Sequence, residues 1–154
     1  MILEGKIDVA VARATLWDFL LDMNRFASCL PGLEQVAQID ERTFEGVVVA
    51  AVGPISGQFT FTSTITDSTP PSDLVVQTDG EDSVTHSHVT ARLNLKLREP
   101  LAKHTELSYR ADIEIKGRLG ILGDMVLRAT SVLALEEFAR RLKARVEIAE
   151  LPHG

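Results

Sequence analysis

The sequence predicts an α+β fold in which a curved, seven-stranded antiparallel sheet wraps around one long C-terminal helix. Three observations lead there. Several segments between Gln58 and Lys116 alternate apolar and polar residues with a period of two, the mark of a sheet with one dry and one wet face. The stretch from about Leu122 to about Ile148 repeats its apolar residues at helical spacing instead. The 154 residues, 45% hydrophobic and 25% charged, suit a single domain over 1–154 with a sizeable core.

Taken in order, Met1–Ala12 reads as the first strand. Thr15 is placed to cap a short helix through Trp17, Phe19, Leu20 and Leu21. A second short helix, Asn24 to Cys29, stops at the breaker Leu30-Pro31-Gly32. Leu33–Ile39 and Thr43–Ala51 follow as strands, and Val52-Gly-Pro-Ile-Ser-Gly57 turns the chain into Gln58–Thr66. There Phe59, Phe61, Ser63 and Ile65 share the dry face. Thr69-Pro-Pro-Ser72 turns into Leu74–Asp79.

In Val84–Arg98 the dry face carries Val89, Ala91, Leu93, Leu95 and Leu97, against His86, His88, Thr90, Arg92, Asn94, Lys96 and Arg98. Glu99-Pro-Leu-Ala-Lys103 makes this strand a hairpin with His104–Lys116, whose dry side is Leu107, Tyr109, Ala111, Ile113 and Ile115. The wet face of the first strand is mostly basic and that of the second carries several acidic residues, as cross-strand pairing favours. The final helix shows a stripe of Met125, Ala129, Val132, Leu135, Ala139, Leu142 and Val146 and spans roughly 40 Å. Arg140, Arg141, Lys143 and Arg145 gather toward its C-terminus, where cations suit the helix dipole. Such a sheet buries its dry face together with this stripe only by curling around the helix.

The net charge of −6 argues against a nucleic-acid partner and against generic adsorption to anionic lipid. The single cysteine, Cys29, excludes an intrachain disulfide and fits a reducing compartment. No leader-like segment opens the sequence, and no apolar run approaches the roughly 20 residues that span a bilayer. These features predict a soluble, cytoplasmic protein.

Gly5, Gly46, Ala50, Ala91, Ala111 and Ala129 are small residues on faces expected to point inward, beside Phe44, Phe59 and Phe61. They would either let the helix pack closely on the sheet or leave an apolar, ligand-sized pocket. Composition and spacing do not choose between the two.

The candidate chemistry is sparse. His86-Ser-His88 puts two imidazoles on one face, but on the wet one, in register with Arg92, Lys96 and Arg98 and without a third ligand, so no metal site is expected. Asp79, Glu81 and Asp82, set around Gly80, read as solvated turn residues rather than paired catalytic carboxylates. Gly117-x-x-Gly120-x-x-Gly123 lacks the spacing and context of a phosphate cradle. Its Leu119, Ile121 and Leu122 suggest a hydrophobic rim to the cavity, or a plain strand-to-helix connection. Cys29 has no activating neighbour in sequence and reads as structural. Tyr109, the only tyrosine, lies on a dry face, where a hydroxyl needs a partner. Ser63, Thr85 and Ser87 are further candidate inward hydroxyls.

Cys29-Leu-Pro-Gly-Leu-Glu-Gln-Val36, Val52-Gly-Pro-Ile-Ser-Gly57 and Gly117-Arg-Leu-Gly-Ile-Leu-Gly123 ahead of a terminal helix together resemble the CoxG-like family of carbon monoxide dehydrogenase proteins. That family falls in the START-like (SRPBCC) ligand-binding superfamily, and the resemblance covers nearly the whole chain. It implies a helix-grip cavity and a non-enzymatic accessory role beside a molybdenum-containing carbon monoxide dehydrogenase or related hydroxylase. It further implies a bound lipid- or quinone-like molecule and peripheral contact with the inner membrane, with no other cofactor. It favours the pocket over close packing. The expected ligand contacts are Phe44, Phe59, Phe61, Leu93, Tyr109, Ile113, Met125 and Ala129, with Leu119, Ile121 and Leu122 as the rim. The alternatives are a cyclase- or hydrolase-type enzyme on the same fold, or a docking adaptor with an incidental cavity. The sequence departs from the family pattern twice. It stops at Gly154, where members commonly continue into a membrane-seeking extension, and Asp79–Thr85 is poor in glycine.

Overall fold

The computed structural model describes residues 1–52, 55–82 and 84–149. Gly53 and Pro54 of the expected turn after the third strand lie outside the described residues. In chain order the elements are β1 (Ile2–Val9), α1 (Arg13–Leu21), α2 (Met23–Cys29), β2 (Leu33–Gln38), β3 (Thr43–Val52), β4 (Ile55–Thr69), β5 (Asp73–Asp82), β6 (Ser87–Leu101) and β7 (His104–Lys116). A 3-10 turn, Arg118–Leu122, then leads into α3 (Asp124–Ala149). The strands form one seven-stranded antiparallel sheet in the order β1-β7-β6-β5-β4-β3-β2. Six of them follow one another as a meander, and β1 returns to pair with β7 from Ile2 opposite Asp112 to Val9 opposite Thr105. Register shifts in β2 (Leu33/Gln35), β4 (Ile65/Asp67) and β6 (Arg98/Leu101) add local bends and twist.

The alternation pattern decides which side of the sheet is dry. Leu97 and Leu107, directly opposite each other, are both about 1% exposed. They join Val9, Leu16, Trp17, Leu20, Leu142 and Val146 in a cluster that docks α1 and the C-terminal half of α3 onto the sheet. Leu119 and Leu127 form a smaller cluster with Phe59, Ile115 and Met1 around the 3-10 turn.

Several expectations are corrected at the level of local structure. Thr15 does not cap α1. The helix begins at Arg13, with no side-chain cap from Ala12, and the Arg13 N–H donates to the Glu99 carboxylate at the far end of β6. A distant acid thus does what a local hydroxyl was expected to do. Asp22 caps α2, its carboxylate accepting the Arg25 N–H. Asp79, Glu81 and Asp82 are strand residues of β5 rather than turn residues, because pairing with β6 runs to Asp82 opposite Ser87. The turn is later, and it includes His86 in a left-handed conformation with φ 52°.

The largest correction concerns α3. Its buried residues are Leu127, Leu142 and Val146, whereas Met125 is 86% exposed and Ala129 and Val132 also face solvent. The predicted stripe holds only toward the C-terminus. In the first half Leu127 is the buried position, and Ser131, Ala134 and, from the predicted stripe, Leu135 are the residues that line the space over the sheet. Two of these are small, one of them polar, so over Met125, Ala129 and Val132 the apolar signal points to the wrong side.

Candidate functional site

The curved sheet and the helices enclose an apolar cavity with two lobes. The first, about 320 Å³, lies over β3–β6 and is walled by Leu20, Phe26, Leu30, Phe44, Val48, Phe61, Ile65, Leu74, Val76, Leu93 and Leu95. The second, about 350 Å³, lies under α3 and over β1, β6 and β7, walled by Leu3, Ile7, Leu107, Tyr109, Ala111, Ile113, Leu135 and Phe138 among others. Leu20, Phe26, Leu30, Val48, Leu93 and Leu95 border both lobes, so they are neighbouring parts of one apolar region. Each lobe falls in the volume range of small-molecule sites. Gln38 at the end of β2 and Asp40, Glu41 and Arg42 of the β2–β3 turn, with Leu21 and Met23, line the solvent side of the first lobe.

Aromatic rings set the shape. Phe138 of α3 meets Phe26 of α2 at 5.5 Å between centroids, Phe26 meets Phe44 at 6.4 Å, and Phe44 meets Phe61 edge-on at 6.1 Å. The chain of rings ties both helices to β3 and β4. The small inward residues serve these rings. Gly46 lies directly opposite Phe61, and a Cβ there would come within 2.7 Å of the ring. Gly5 lies opposite Tyr109 in the same way. These glycines give aromatic side chains a place to lie against the sheet.

The structure places the expected contacts unevenly. Phe44, Phe61 and Leu93 line the first lobe, and Leu93, Tyr109 and Ile113 line the second. Phe59 does not line the cavity and packs in the Leu119–Leu127 cluster. Met125 and Ala129 are on the outer face of α3, because the helix is rotated away from the expected stripe. Leu119 is buried and Leu122 packs beside it, while Ile121 is 83% exposed; none of the three borders either lobe. The solvent side of the cavity therefore lies at the β2–β3 turn and the α1–α2 junction. Sequence reading missed Phe26, Leu30, Val48 and Phe138. The aromatic residues were visible, but which face of each helix meets the sheet was not.

Polar groups in the cavity are few. The Tyr109 hydroxyl has no hydrogen-bond partner among the described residues. Ser63 and Thr78, on the inward faces of β4 and β5, are joined by a 2.7 Å hydrogen bond. Ser131 donates to the Leu127 carbonyl within α3.

Beyond the cavity, Asp82 is an inward acid, only 2% exposed. Its Oδ1 accepts the Val84 N–H and its Oδ2 accepts the Thr85 hydroxyl, each at 2.9 Å. Thr85 in turn lies 2.9 Å from the Ser87 hydroxyl, which accepts the Leu119 N–H. Burial pushes the Asp82 carboxyl up. The hydrogen bonds from Val84, Thr85 and the Gln58 N–H together outweigh it and hold the group below the usual carboxylate value of 3.8. Asp82 is thus a clasp between the β5–β6 turn and the 3-10 turn, not a solvated turn residue.

His88 sits among acids rather than cations. Its Nδ1 is 3.3 Å from Glu81 and its Nε2 is 3.6 Å from Asp79. The expectation of a cationic surround considered only its own strand, and the cross-strand neighbours reverse it. The two carboxylates address opposite edges of the ring and do not converge on one point. Among the described residues no group of three His, Cys, Asp or Glu is arranged to hold a metal ion. Cys29 is buried, 3.6 Å from the Arg25 carbonyl. No helix among the described residues is long and apolar enough to cross a membrane.

Comparison with known proteins gives a consistent fold. The sequence profile of the carbon monoxide dehydrogenase CoxG family matches residues 5–147. Among curated proteins, no sequence matches the chain. A conserved protein from Geobacillus kaustophilus superimposes with a TM-score of 0.90 at 19% identity, covering 97% of both chains. A START superfamily protein from Mycobacterium smegmatis gives 0.74 at 15% identity, covering 96% of this chain and 98% of that one. The Zhui aromatase/cyclase from Streptomyces sp. R1128 gives 0.72 at 14% identity, covering 96% and 93%. At such identities the likeness is one of fold, the START-like helix grip.

Proposed function

Because the chain belongs to the CoxG family of carbon monoxide dehydrogenase, we propose that it is a non-enzymatic accessory protein that holds a hydrophobic small molecule in its two-lobed cavity. The molecule is lipid- or quinone-like, and the protein serves a molybdenum-containing carbon monoxide dehydrogenase or related hydroxylase. It works on the cytoplasmic side, in peripheral contact with the inner membrane. The observation that carries this reading is the lining. Aliphatic and aromatic side chains of α1, α2, α3 and the sheet bound the two lobes, and such a surface gains by excluding water in favour of an apolar guest.

The test is organic extraction of protein purified without detergent, followed by mass spectrometry. A lipophilic compound should co-purify in near-stoichiometric amount and be much reduced by Ala111→Phe, which fills the second lobe. Ligand-free protein that also takes up no quinone or lipid overturns the proposal.

A second reading is favoured by one observation. Tyr109 lines the cavity and its hydroxyl, lying over Gly5, has no partner among the described residues, on a fold shared with an aromatase/cyclase. In that reading Tyr109 is a proton donor to a cyclising substrate. Turnover lost in Tyr109→Phe would favour it, and a substrate screen without turnover would remove it.

A further inference from the structure

The first lobe contains a polar feature that its apolar walls do not explain. Ser63 and Thr78 stand side by side on the dry face, Ser63 only 4% exposed, flanked by Phe44, Phe61 and Val76. Their oxygens are 2.7 Å apart. Two hydroxyls carry two protons, and the bond between them uses one. Neither oxygen bonds to any other described group, so one O–H is left without an acceptor. The remaining polar groups of this lobe belong to the β2–β3 turn, where Asp40 is occupied by the Arg42 N–H and by Thr43. An apolar wall would be served as well by Ala and Val, and a donor left without an acceptor among apolar side chains is costly.

We propose that the Ser63–Thr78 pair is a hydrogen-bond donor site that selects, among apolar ligands, those carrying a neutral acceptor oxygen such as a ketone carbonyl. The inference rests on the cavity-binding reading above and specifies the ligand class. The acceptor sits against the pair and takes the spare proton, while the hydrocarbon portion lies along Phe44, Phe61 and Leu93. A hydroxyl relay also has a property that a lone serine lacks. Either oxygen keeps a proton to donate if the other is removed, because the survivor no longer spends it on its neighbour.

The experiment uses two probes of nearly equal shape, 2-acetylnaphthalene and 2-isopropenylnaphthalene, which differ in having or lacking the carbonyl oxygen. Their affinities are measured by displacement of N-phenyl-1-naphthylamine from the wild type, Ser63→Ala, Thr78→Val and the double variant. The ketone-to-hydrocarbon affinity ratio should be nearly unchanged in each single variant. In the double variant it should fall about fivefold, with the hydrocarbon affinity unaltered. A second readout needs no variant: the carbonyl stretch of 2-acetylnaphthalene bound to wild type should lie below its position in hexane. An unchanged ratio in the double variant, a ratio already lost in the single variants, or an unshifted carbonyl band overturns the donor assignment while leaving the cavity reading intact. If neither probe binds wild type, the cavity reading itself falls and this inference with it.

Discussion

The ring of Tyr109 lies across Gly5, its cross-strand partner, so closely that a Cβ on Gly5 would come within 2.6 Å of Tyr109 Cζ. The edge strand β1 is therefore cut back to hydrogen at one position to seat the only tyrosine of the chain, and that seat fixes how far the ring projects into the second lobe. Gly5→Ala should force the ring off the sheet. The expected cost is about 1–3 kcal/mol, read as a lower midpoint in urea unfolding. Tyr109→Leu should remove most of that penalty in a double-mutant cycle. Additive effects of the two changes would mean the close approach is not what constrains the site.

The orientation of α3 makes a contrasting pair of predictions. Leu142, about 0% exposed in the main cluster, should cost about 2–5 kcal/mol when cut to Ala. Met125→Ala, on the solvent face, should stay within about 0.5 kcal/mol. Urea unfolding of both variants distinguishes this helix rotation from the one the sequence pattern suggested. Equal costs would restore the predicted stripe.

Glu137 on α3 accepts two hydrogen bonds from Arg140, at 2.6 and 3.0 Å, and one from Arg141 at 2.8 Å. Those from Arg140 weigh most, the one from Arg141 next, and the carboxyl is held down from 4.5 to about 2. Arg141 also reaches the Leu30 carbonyl at the end of α2. A carboxyl lowered on folding stabilises the native state above its unfolded value, and the benefit disappears as pH falls through the folded one. The stability difference between wild type and Glu137→Gln should therefore be full above pH 4.5 and fade toward pH 2. A difference independent of pH across that window would show that the carboxylate charge is not what Arg140 and Arg141 recognise.

The Asp82 clasp predicts a local rather than global effect. Asp82→Ala leaves the Val84 N–H without its acceptor and the Thr85 hydroxyl with only Ser87 to donate to. Amide hydrogen exchange should quicken at Val84 and, through Thr85 and Ser87, at Leu119. The cavity walls at Leu93 and Leu95 should keep their protection. Uniform loss of protection would make Asp82 part of the global core instead.

How much was legible follows from the physics of each pattern. Period two survives in almost every strand because one wet face and one dry face are imposed residue by residue, so Phe61, Leu93, Leu97, Leu107 and Ile113 were placed on the correct side. Tyr109 and Ser63 were singled out as inward hydroxyls, but the partner of Ser63, Thr78, comes from a neighbouring strand and only the register brings it near. The helix was less readable. A face that lines a cavity need not be strongly apolar, and Ser131 and Ala134 occupy it while Met125 and Val132 stand outside.

By itself, the sequence determined the seven strands, their dry faces, the two short helices and the long terminal helix, because local alternation and breakers act over a few residues. Only the tertiary structure decided where the space is. The curvature of the sheet, the rotation of α3 and the insertion of Phe26 from α2 are set by contacts between residues far apart in the chain. A cavity is what those contacts leave unfilled, and unfilled volume has no residue of its own to announce it. Phe44, Phe61, Leu93, Tyr109 and Ile113 could be found from strand alternation alone, whereas the opening at the β2–β3 turn, far from the glycine loop expected to form it, could not.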